Sequence, residues 1–420
     1  MLLTELVIPD RYEIIPIHSS DRGSFKRCRQ YWDWSSPARQ NLMVRADVHG
    51  VNVPMWFGTG IHYALEQYYS PILRRDPVEA FKTWFDVQWR GGIVTEDWLD
   101  LVYDLEPKTV DATHPLYPDA YEVRGLEDIL PDPNHEEFDE LFVIGIEMMK
   151  YYKKYAEVND DFEPVVAEHT FSVPIWDYEN DCILTATDTR EESPNFGKSL
   201  EVHARGRQDV IKRNIANDRL GIVDHKTTAR VDDDLYIKLE TDEQCTTYLW
   251  AAQIEAQYYD LPHKGEPLEE VLFNVLRKAY PKPPTILKDG YSFSVDRQKE
   301  STTYDILMSY IDSLGEKTKW LWPSGFSPAQ TEYIKYLRDV GDEQFIIRKH
   351  VKRNQHQLRN VGERIFLEAL DMIYYPRIYP NLRNDFNCLN CQFRAPCLAK
   401  MDGSDWEQLI NDNYVVTRDR

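Results

Sequence analysis

The sequence predicts an α/β fold, because strand and helix patterns follow one another in the central part of the chain. Strand-like composition begins at Val165, and two longer strand patterns cover Val202–Arg213 and Leu220–Thr227. The polar stretch Asn214–Arg219 between them has the composition of a turn, so the two patterns predict a hairpin. A helix is predicted soon afterwards, over Thr241–Tyr259.

The other elements are predicted from shorter patterns. Gly58–Tyr69 has apolar residues at helical spacing with Thr59 as candidate N-cap, and Thr241 and Gln244 match a capping box. Glu168 is interpreted as a solvated strand-end residue or a further acidic contributor to a site. Short strands are predicted at Val165–Val166, Phe171–Val173 and Ile183–Thr187. Further helical segments are predicted at Glu140–Tyr155, Ser301–Leu314 and Glu343–Ile373, and a loop at Tyr280–Pro284.

Length and composition allow a large core, since 42% of the 420 residues are hydrophobic. We divide the chain into a mainly helical region, 1–160, with Cys28, His62 and an acidic insertion; a strand-rich core, 161–265; and a helical region, 266–420, that ends in a cysteine cluster. No secretory segment or long apolar span is evident. We therefore expect a soluble cytoplasmic protein with no membrane partner.

The charge of the chain is strongly acidic but uneven. The formal net charge is −22, which argues superficially against a nucleic-acid partner. However, Glu96–Glu140 holds fifteen Asp or Glu against Lys108 and Arg124, a net charge of −13. Local potential decides where a phosphate backbone can bind. A basic cluster that is a candidate for DNA binding consists of Arg348, Lys349, Lys352 and Arg353.

The cysteines predict a metal site that joins the two ends of the chain. In a reducing cytosol cysteines argue for metal binding or burial rather than disulfides. Cys182 and Cys245 are expected to be buried structural thiols. The other four must converge if they bind one metal, and thiolates suit zinc and iron–sulfur clusters alike. They are Cys28, Cys388, Cys391 and Cys397.

The predicted hairpin brings acidic and basic side chains together. Asp209 and Asp224 are equidistant from its tip, so they lie roughly opposite each other on antiparallel strands. Strand alternation places Lys226 on the face of Asp224 and turns His225 away. Two carboxylates this close are unfavourable unless a divalent cation bridges them. The alternative is an ordinary surface hairpin with a cross-strand Asp–Lys pair.

These residues form a pattern that resembles the PD-(D/E)XK nucleases, and more closely their RecB-type branch. GRQDVI at Gly206–Ile211 and GIVDHKT at Gly221–Thr227 match the G-x-x-D and D-x-K-T elements. Gln244 and Tyr248 match the Q-x-x-x-Y element on a helix. GTGIHYALE at Gly58–Glu66 is close to the upstream G-x-x-x-H-x-x-L-E element.

The resemblance implies a central mixed sheet flanked by helices, with additional helical regions and a cysteine cluster that joins the terminal segments. It also implies a Mg²⁺- or Mn²⁺-dependent DNA exonuclease. Lys226 would position or activate a water molecule, Gln244 would orient Lys226 or the scissile phosphate, and Tyr248 would contact the strand. The implied metal ligands are His62, Asp209, Asp224 and the backbone carbonyl of His225. For the side chains the alternatives are a solvated His62–Glu66 pair, a capping role for Gln244 and a core position for Tyr248.

The cysteine spacing resembles the iron–sulfur members of this branch, the CRISPR-associated exonucleases, AddB-type helicase–nucleases and phage stand-alone exonucleases. This implies a 4Fe–4S cluster as a structural staple, with zinc as the alternative, and host cytoplasm as the location of a phage-encoded protein. Aromatic residues expected to shield the cluster are Phe25, Tyr31, Trp32 and Phe393.

The implied partner is DNA, as linear ends or single strands. The sequence contains no G-x-x-x-x-G-K-S/T motif, so unwinding would come from fraying ends or from a helicase or recombination partner. Recombination or replication in a phage or mobile element fits this expectation. Two other functions remain open: a catalytically silent nucleic-acid-binding or assembly module on the same fold, and a DNA endonuclease.

Overall fold

A computed structural model describes residues 14–36, 39–95, 120–187, 195–258, 268–315, 325–374, 377–381 and 386–416. Its strands are β1 (Ile14–His18), β2 (Leu42–Val44), β3 (Gly91–Thr95), β4 (Ala120–Arg124), β5 (Phe162–Pro174), β6 (Trp176–Asp177), β7 (Cys182–Ile183), β8 (Thr185–Thr187), β9 (Ser199–Asn214), β10 (Leu220–Thr228), β11 (Leu268–Arg277), β12 (Ile346–Lys352) and β13 (Tyr414–Val416).

The helices of the described residues are α1 (Ser19–Arg27), α2 (Arg29–Ser35), α3 (Ala46–His49), α4 (Val53–Tyr69), α5 (Pro77–Arg90), α6 (Leu126–Ile129), α7 (His135–Asn159), α8 (Asp233–Thr241), α9 (Glu243–Tyr258), α10 (Tyr304–Leu314), α11 (Pro328–Val340), α12 (Gln355–Tyr374), α13 (Phe386–Leu389), α14 (Arg394–Asp402) and α15 (Trp406–Asn413). A 3₁₀ turn covers Gly341–Gln344. No helix in these ranges is both long and apolar enough to cross a membrane.

The centre of the described structure is a mixed seven-stranded sheet. Its strand order is β1-β9-β10-β11-β12, and β5 and β8 also pair with β9. β9 and β10 are antiparallel, β10 and β11 parallel, and β11 and β12 antiparallel. β1 runs parallel to β9. The predicted central mixed sheet is therefore confirmed, and strands from all three predicted regions contribute to it.

Helices cover both faces of the sheet, as strand alternation requires. Ile211, Ile222 and Val271 belong to a core that includes residues of α9 and α12. Their sequence neighbours Val210 and Val223 belong to the opposite core, which includes residues of α4, α5 and α7. Successive apolar residues thus enter different layers, which explains why the central strands are apolar on both faces.

One predicted helical segment is wrong. Glu343–Ile373 is not continuous, because it contains the strand β12 before α12 begins. Ile346, Ile347 and Val351 are almost completely buried, and β12 pairs with β11 at the side of the sheet. The run of apolar residues at its start fits a buried strand as well as a helix, and tertiary pairing selects the strand.

Two predicted helix caps are also wrong. Asn52 caps α4 by accepting from the Met55 backbone N–H, whereas the Thr59 hydroxyl donates to a carbonyl within the helix. At α9, Asp242 accepts from the Cys245 N–H in place of a Thr241–Gln244 box. Gln244 is therefore free of the capping role.

Two smaller features complete the fold. Between β11 and β12 a separate small core contains Phe293, Leu307 and Tyr333. β2 pairs with β13, which joins the N-terminal and C-terminal segments of the described chain. Most of the acidic segment, residues 96–119, lies outside the described residues; the rest contributes β4, α6 and the start of α7.

Candidate active site

The β9–β10 hairpin places two carboxylates side by side. Its ladder runs from Leu220↔Arg213 to Val223↔Val210, and the next position of the same register holds Asp224 and Asp209. There the backbone N–H of His225 donates to Asp209 Oδ2 at 2.7 Å. Asp224 is 3% exposed. The expected cross-strand arrangement of the two aspartates is thus present, and both are too buried for an ordinary surface hairpin.

Burial makes negative charge costly at these two carboxylates. It raises the pKa of Asp209 to about 6, although the His225 N–H and the Lys226 ammonium oppose the shift. It raises the pKa of Asp224 to about 7, where Lys226 opposes the shift and Asp209 adds to it. Such a pair is stabilised by a cation placed between the carboxylates. Hard oxygen donors of this kind fit Mg²⁺ or Mn²⁺.

Lys226 lies between the carboxylates and helix α9. Its Nζ is 2.8 Å from Asp224 Oδ2 and donates to Gln244 Oε1 at 2.9 Å. Burial acts to lower the pKa of Lys226, but Asp224, Asp242 and Asp209 together outweigh it and the net shift is upward. The side chain is therefore an ammonium ion in this arrangement.

Gln244 and Tyr248 form the second layer of the site. Gln244 uses its Oε1 for Lys226 and donates from Nε2 to the Tyr248 hydroxyl at 2.5 Å. Tyr248 is 4% exposed and its ring packs edge-on against Phe171. It lies in the core, and its hydroxyl also reaches the site through Gln244; its contact with a DNA strand stays a prediction.

His62 reaches the site from helix α4. Its Nδ1 is 3.7 Å from Asp209 Oδ2, and no contact of hydrogen-bond length to Glu66 occurs in the described residues. Desolvation lowers the pKa of His62 to about 4, although Asp224 opposes the shift. The imidazole is therefore neutral near pH 7, the form that can ligate a metal.

His225 points to the opposite side of the sheet, as the alternation predicts. Asn274 Nδ2 donates to its Nδ1 at 2.9 Å, and the Tyr69 ring stacks on it with centroids 5.4 Å apart. Tyr69 and Asn274 both hydrogen-bond to Tyr152. This buried layer holds the backbone of the D-x-K segment in place from behind.

The predicted basic cluster is mostly engaged within the fold. Arg348 forms an ion pair with Asp160 and lies over the Tyr155 ring, so it belongs to the layer behind His225. Lys349 pairs with Glu240 at 2.9 Å, and Arg353 donates to Thr246 Oγ1 at 2.9 Å. Lys352 is exposed. The structure does not bring this cluster to the carboxylates.

Glu168 is an acidic residue that the sequence placed incorrectly. It lies inside β5 rather than at a solvated strand end, and its backbone has φ of 53°. Burial raises the pKa of Glu168 to about 8, and the negative charges of Asp209 and Glu66 add to this shift. The Arg207 side chain opposes it, with its Nε 2.5 Å from Glu168 Oε2. A left-handed conformation in a strand has no simple sequence signal. Glu168 therefore borders the site, which fits its alternative interpretation as a further acidic contributor, and Arg207 lies beside it with no assigned role in the sequence analysis.

The four terminal cysteines are neighbours in a part of the fold with its own small apolar cluster. Burial raises the pKa of Cys397 to about 11, with further contributions from its neighbours Cys28, Cys391 and Cys388. All four are free thiols, and the Asn381 N–H donates to Cys28 Sγ at 3.3 Å. In the described parts of the chain, no group of three or more His, Cys, Asp or Glu side chains is already arranged to hold a metal ion.

The aromatic residues that surround the cysteines differ in part from those predicted. Tyr31 and Phe393 pack with Trp34 beside Cys391 and Cys397. Phe25 and Trp32 instead belong to the main core. Cys245 is buried as expected, but Cys182 is exposed, so that expectation is wrong.

The mixed sheet, its flanking helices and the Asp–Asp-x-Lys hairpin define a nuclease fold. The chain belongs to the PD-(D/E)XK nuclease superfamily, whose family model matches residues 24–398. Members act on nucleic acid and typically use divalent metals such as Mg²⁺. A search of curated proteins finds no significant match.

Proposed function

We propose that the protein is a Mg²⁺- or Mn²⁺-dependent RecB-like deoxyribonuclease that hydrolyses phosphodiester bonds at DNA ends. One observation carries this proposal: Asp209, Asp224, Lys226 and Gln244 meet at one end of the hairpin, with Lys226 within 2.9 Å of both Asp224 and Gln244. A catalytically silent copy would have no chemical need for two buried carboxylates that repel each other.

Asp209, Asp224 and His62 would hold the cation, with the backbone carbonyl of His225 as a further ligand. When bound, a divalent cation supplies a Lewis acid that stabilises negative charge on the phosphoryl oxygens. In the reaction, the oxygen of water bonds to phosphorus, the bond to the leaving sugar oxygen breaks, and that oxygen gains a proton. The protein must therefore position the water and stabilise the developing charge.

Lys226 suits the positioning role. Because Asp224 keeps it protonated, it donates hydrogen bonds and carries positive charge toward the reacting phosphate. Gln244 fixes the ammonium group through its Oε1, and Tyr248 fixes Gln244. These two hydrogen bonds restrict the Lys226 ammonium group to one orientation.

For the cysteines we propose a 4Fe–4S cluster that acts as a structural staple, with zinc as the alternative metal. Four soft thiols from distant parts of the chain support this: Cys28, Cys388 and Cys391 are neighbours of Cys397, and Cys391 and Cys397 pack near the β2–β13 pair. Tying together segments this distant in sequence lowers the entropy of the unfolded chain. Iron, sulfide and zinc analysis of anaerobically purified protein separates the two metals.

The biological setting we propose is end processing during recombination or replication of a phage or mobile element, in the host cytoplasm. DNA would be supplied as linear ends or single strands. A helicase or recombination protein would be the partner that opens duplex DNA.

The test compares end-labelled linear DNA with covalently closed circles, with and without Mg²⁺ or Mn²⁺. We expect metal-dependent loss of the linear DNA and survival of the circles. Cleavage of the circles would show an endonuclease, and no cleavage of either would show a silent binding module. Asp224→Ala and Lys226→Ala should abolish cleavage while the fold persists, whereas the exposed Lys335→Ala should cleave normally.

A further inference from the structure

Lys278 follows directly after β11 and extends toward the first turn of α4. Its backbone N–H donates to the Thr228 carbonyl at 2.7 Å, which anchors it beside the end of β10. Its Nζ donates to the Pro54 carbonyl and lies 5.8 Å from the centroid of the Phe57 ring. The side chain thus crosses from the end of β11, beside the D-x-K strand, to the helix that carries His62.

Within the described ranges the charge on Lys278 has no acidic partner. Among the described residues no carboxylate lies within ion-pair distance of its Nζ, in contrast to Lys226 with Asp224 and the buried Lys212 with Glu270. Lys278 is nevertheless half-buried, and burial lowers its pKa. An ammonium group that is partly desolvated and holds only a carbonyl is costly to the folded protein. Such a cost is expected where a ligand supplies the missing negative charge.

Lys278 lies close to the proposed catalytic centre. Its charge acts on His62, in the same direction as that of Lys226. A Cβ atom added at Gly58 would lie 3.1 Å from Thr227 Oγ1 and 4.0 Å from Lys278 Nζ. The Thr227 hydroxyl and the Lys278 ammonium therefore both lie within 4.0 Å of the space beside Gly58 that a side chain would occupy.

We propose that Lys278, together with the Thr227 hydroxyl, binds a backbone phosphate of the DNA strand next to the scissile one. An ammonium and a hydroxyl donor beside the same small space match the oxygens of a phosphate. This inference rests on the proposed function and adds a substrate contact to it. The contact carries no base information, so it fits an enzyme that accepts DNA of any sequence.

The experiment measures DNA binding against salt concentration and steady-state cleavage for Lys278→Gln and Lys278→Arg. Binding is measured in an Asp224→Asn background so that the DNA stays intact. Lys282→Gln is the matched control, because Lys282 is four residues away and fully exposed. Melting temperatures are recorded for every variant.

For Lys278→Gln we expect a shallower dependence of DNA binding on salt. The magnitude of the slope of log K (the binding constant) against log salt concentration should fall by about 0.7 to 0.9, the contribution of one phosphate contact. KM should rise about tenfold with a smaller change in kcat, as expected for loss of one charged hydrogen bond. Lys278→Arg should recover most of the slope. The melting temperature should not fall, because the variant removes an uncompensated charge.

An unchanged salt slope and KM in Lys278→Gln would overturn this inference, as would an equal loss in Lys282→Gln. A fall in melting temperature with an unchanged slope would show a merely structural role and also overturn it. The proposed function fails separately, if Asp224→Asn cleaves DNA as well as the wild type does.

Discussion

Replacing Asp224 with asparagine should stabilise the metal-free protein while abolishing cleavage. Asp224 and Asp209 are buried side by side, and burial together with Asp209 raises the pKa of Asp224 to about 7 although Lys226 opposes the shift. In the unfolded chain the same carboxyl titrates near its ordinary pKa of 3.8. The folded protein therefore binds a proton that the unfolded chain has already lost.

The sign and size of the effect follow from this difference. A raised carboxyl pKa means that folding stability falls as pH rises from about 4, and that the loss is complete above about pH 7. A shift of about three pH units corresponds to at most about 4 kcal/mol. Lys226 loses its partner in the variant, which offsets part of the gain. We expect a net stabilisation of about 1–3 kcal/mol at pH 8.

Urea unfolding of wild type and Asp224→Asn at about pH 4 and pH 8, in chelator, measures this difference. Any loss of metal at the cysteines affects both proteins equally. The gain in unfolding free energy should be present at pH 8. It should be absent at about pH 4, where Asp209 and Asp224 are both protonated in the folded protein. The exposed Asp312→Asn is the control and should change nothing at either pH. If Asp224→Asn is no more stable than wild type at pH 8, or is equally stabilised at both pH values, the buried-charge reasoning is refuted.

Two further predictions concern stability away from Asp209 and Asp224. Glu270→Gln should destabilise the protein by about 3 kcal/mol in urea unfolding, because the fully buried Lys212 loses the carboxylate that lies 3.0 Å from its Nζ. A loss of unfolding free energy below about 0.5 kcal/mol would contradict this. Cys388→Ala should lower the melting temperature broadly rather than only slow cleavage, whereas the exposed Cys182→Ala should not. An unchanged melting temperature in Cys388→Ala would contradict the staple.

The hairpin shows how far sequence reasoning reached. Counting residues from the turn correctly predicted that Asp209 and Asp224 face each other, because register in a hairpin follows from its turn. Alternation correctly turned His225 away from Lys226. These predictions succeeded because they depend only on local geometry that residue spacing encodes.

Other residues were decided by packing that spacing does not encode. Glu168 was interpreted as a solvated strand-end residue or a further acidic contributor, and it lies inside β5, which pairs with β9 of the hairpin. The segment that contains Ile346 was predicted as helix, and pairing with β11 made it a strand. Arg348 was assigned to DNA from its charge alone, and Asp160, far away in sequence, holds it inside the fold.

By itself the sequence determined the class of fold, the family to which its motifs belong and the short-range geometry of the Asp–Asp-x-Lys hairpin. Only the tertiary structure decided which charges are compensated. It paired Arg348 with Asp160, 188 residues away in sequence, and left Lys278 without an acidic partner in the described chain. The physical reason is that charge compensation depends on burial and on partners that can be distant in sequence, and neither is a property of local sequence.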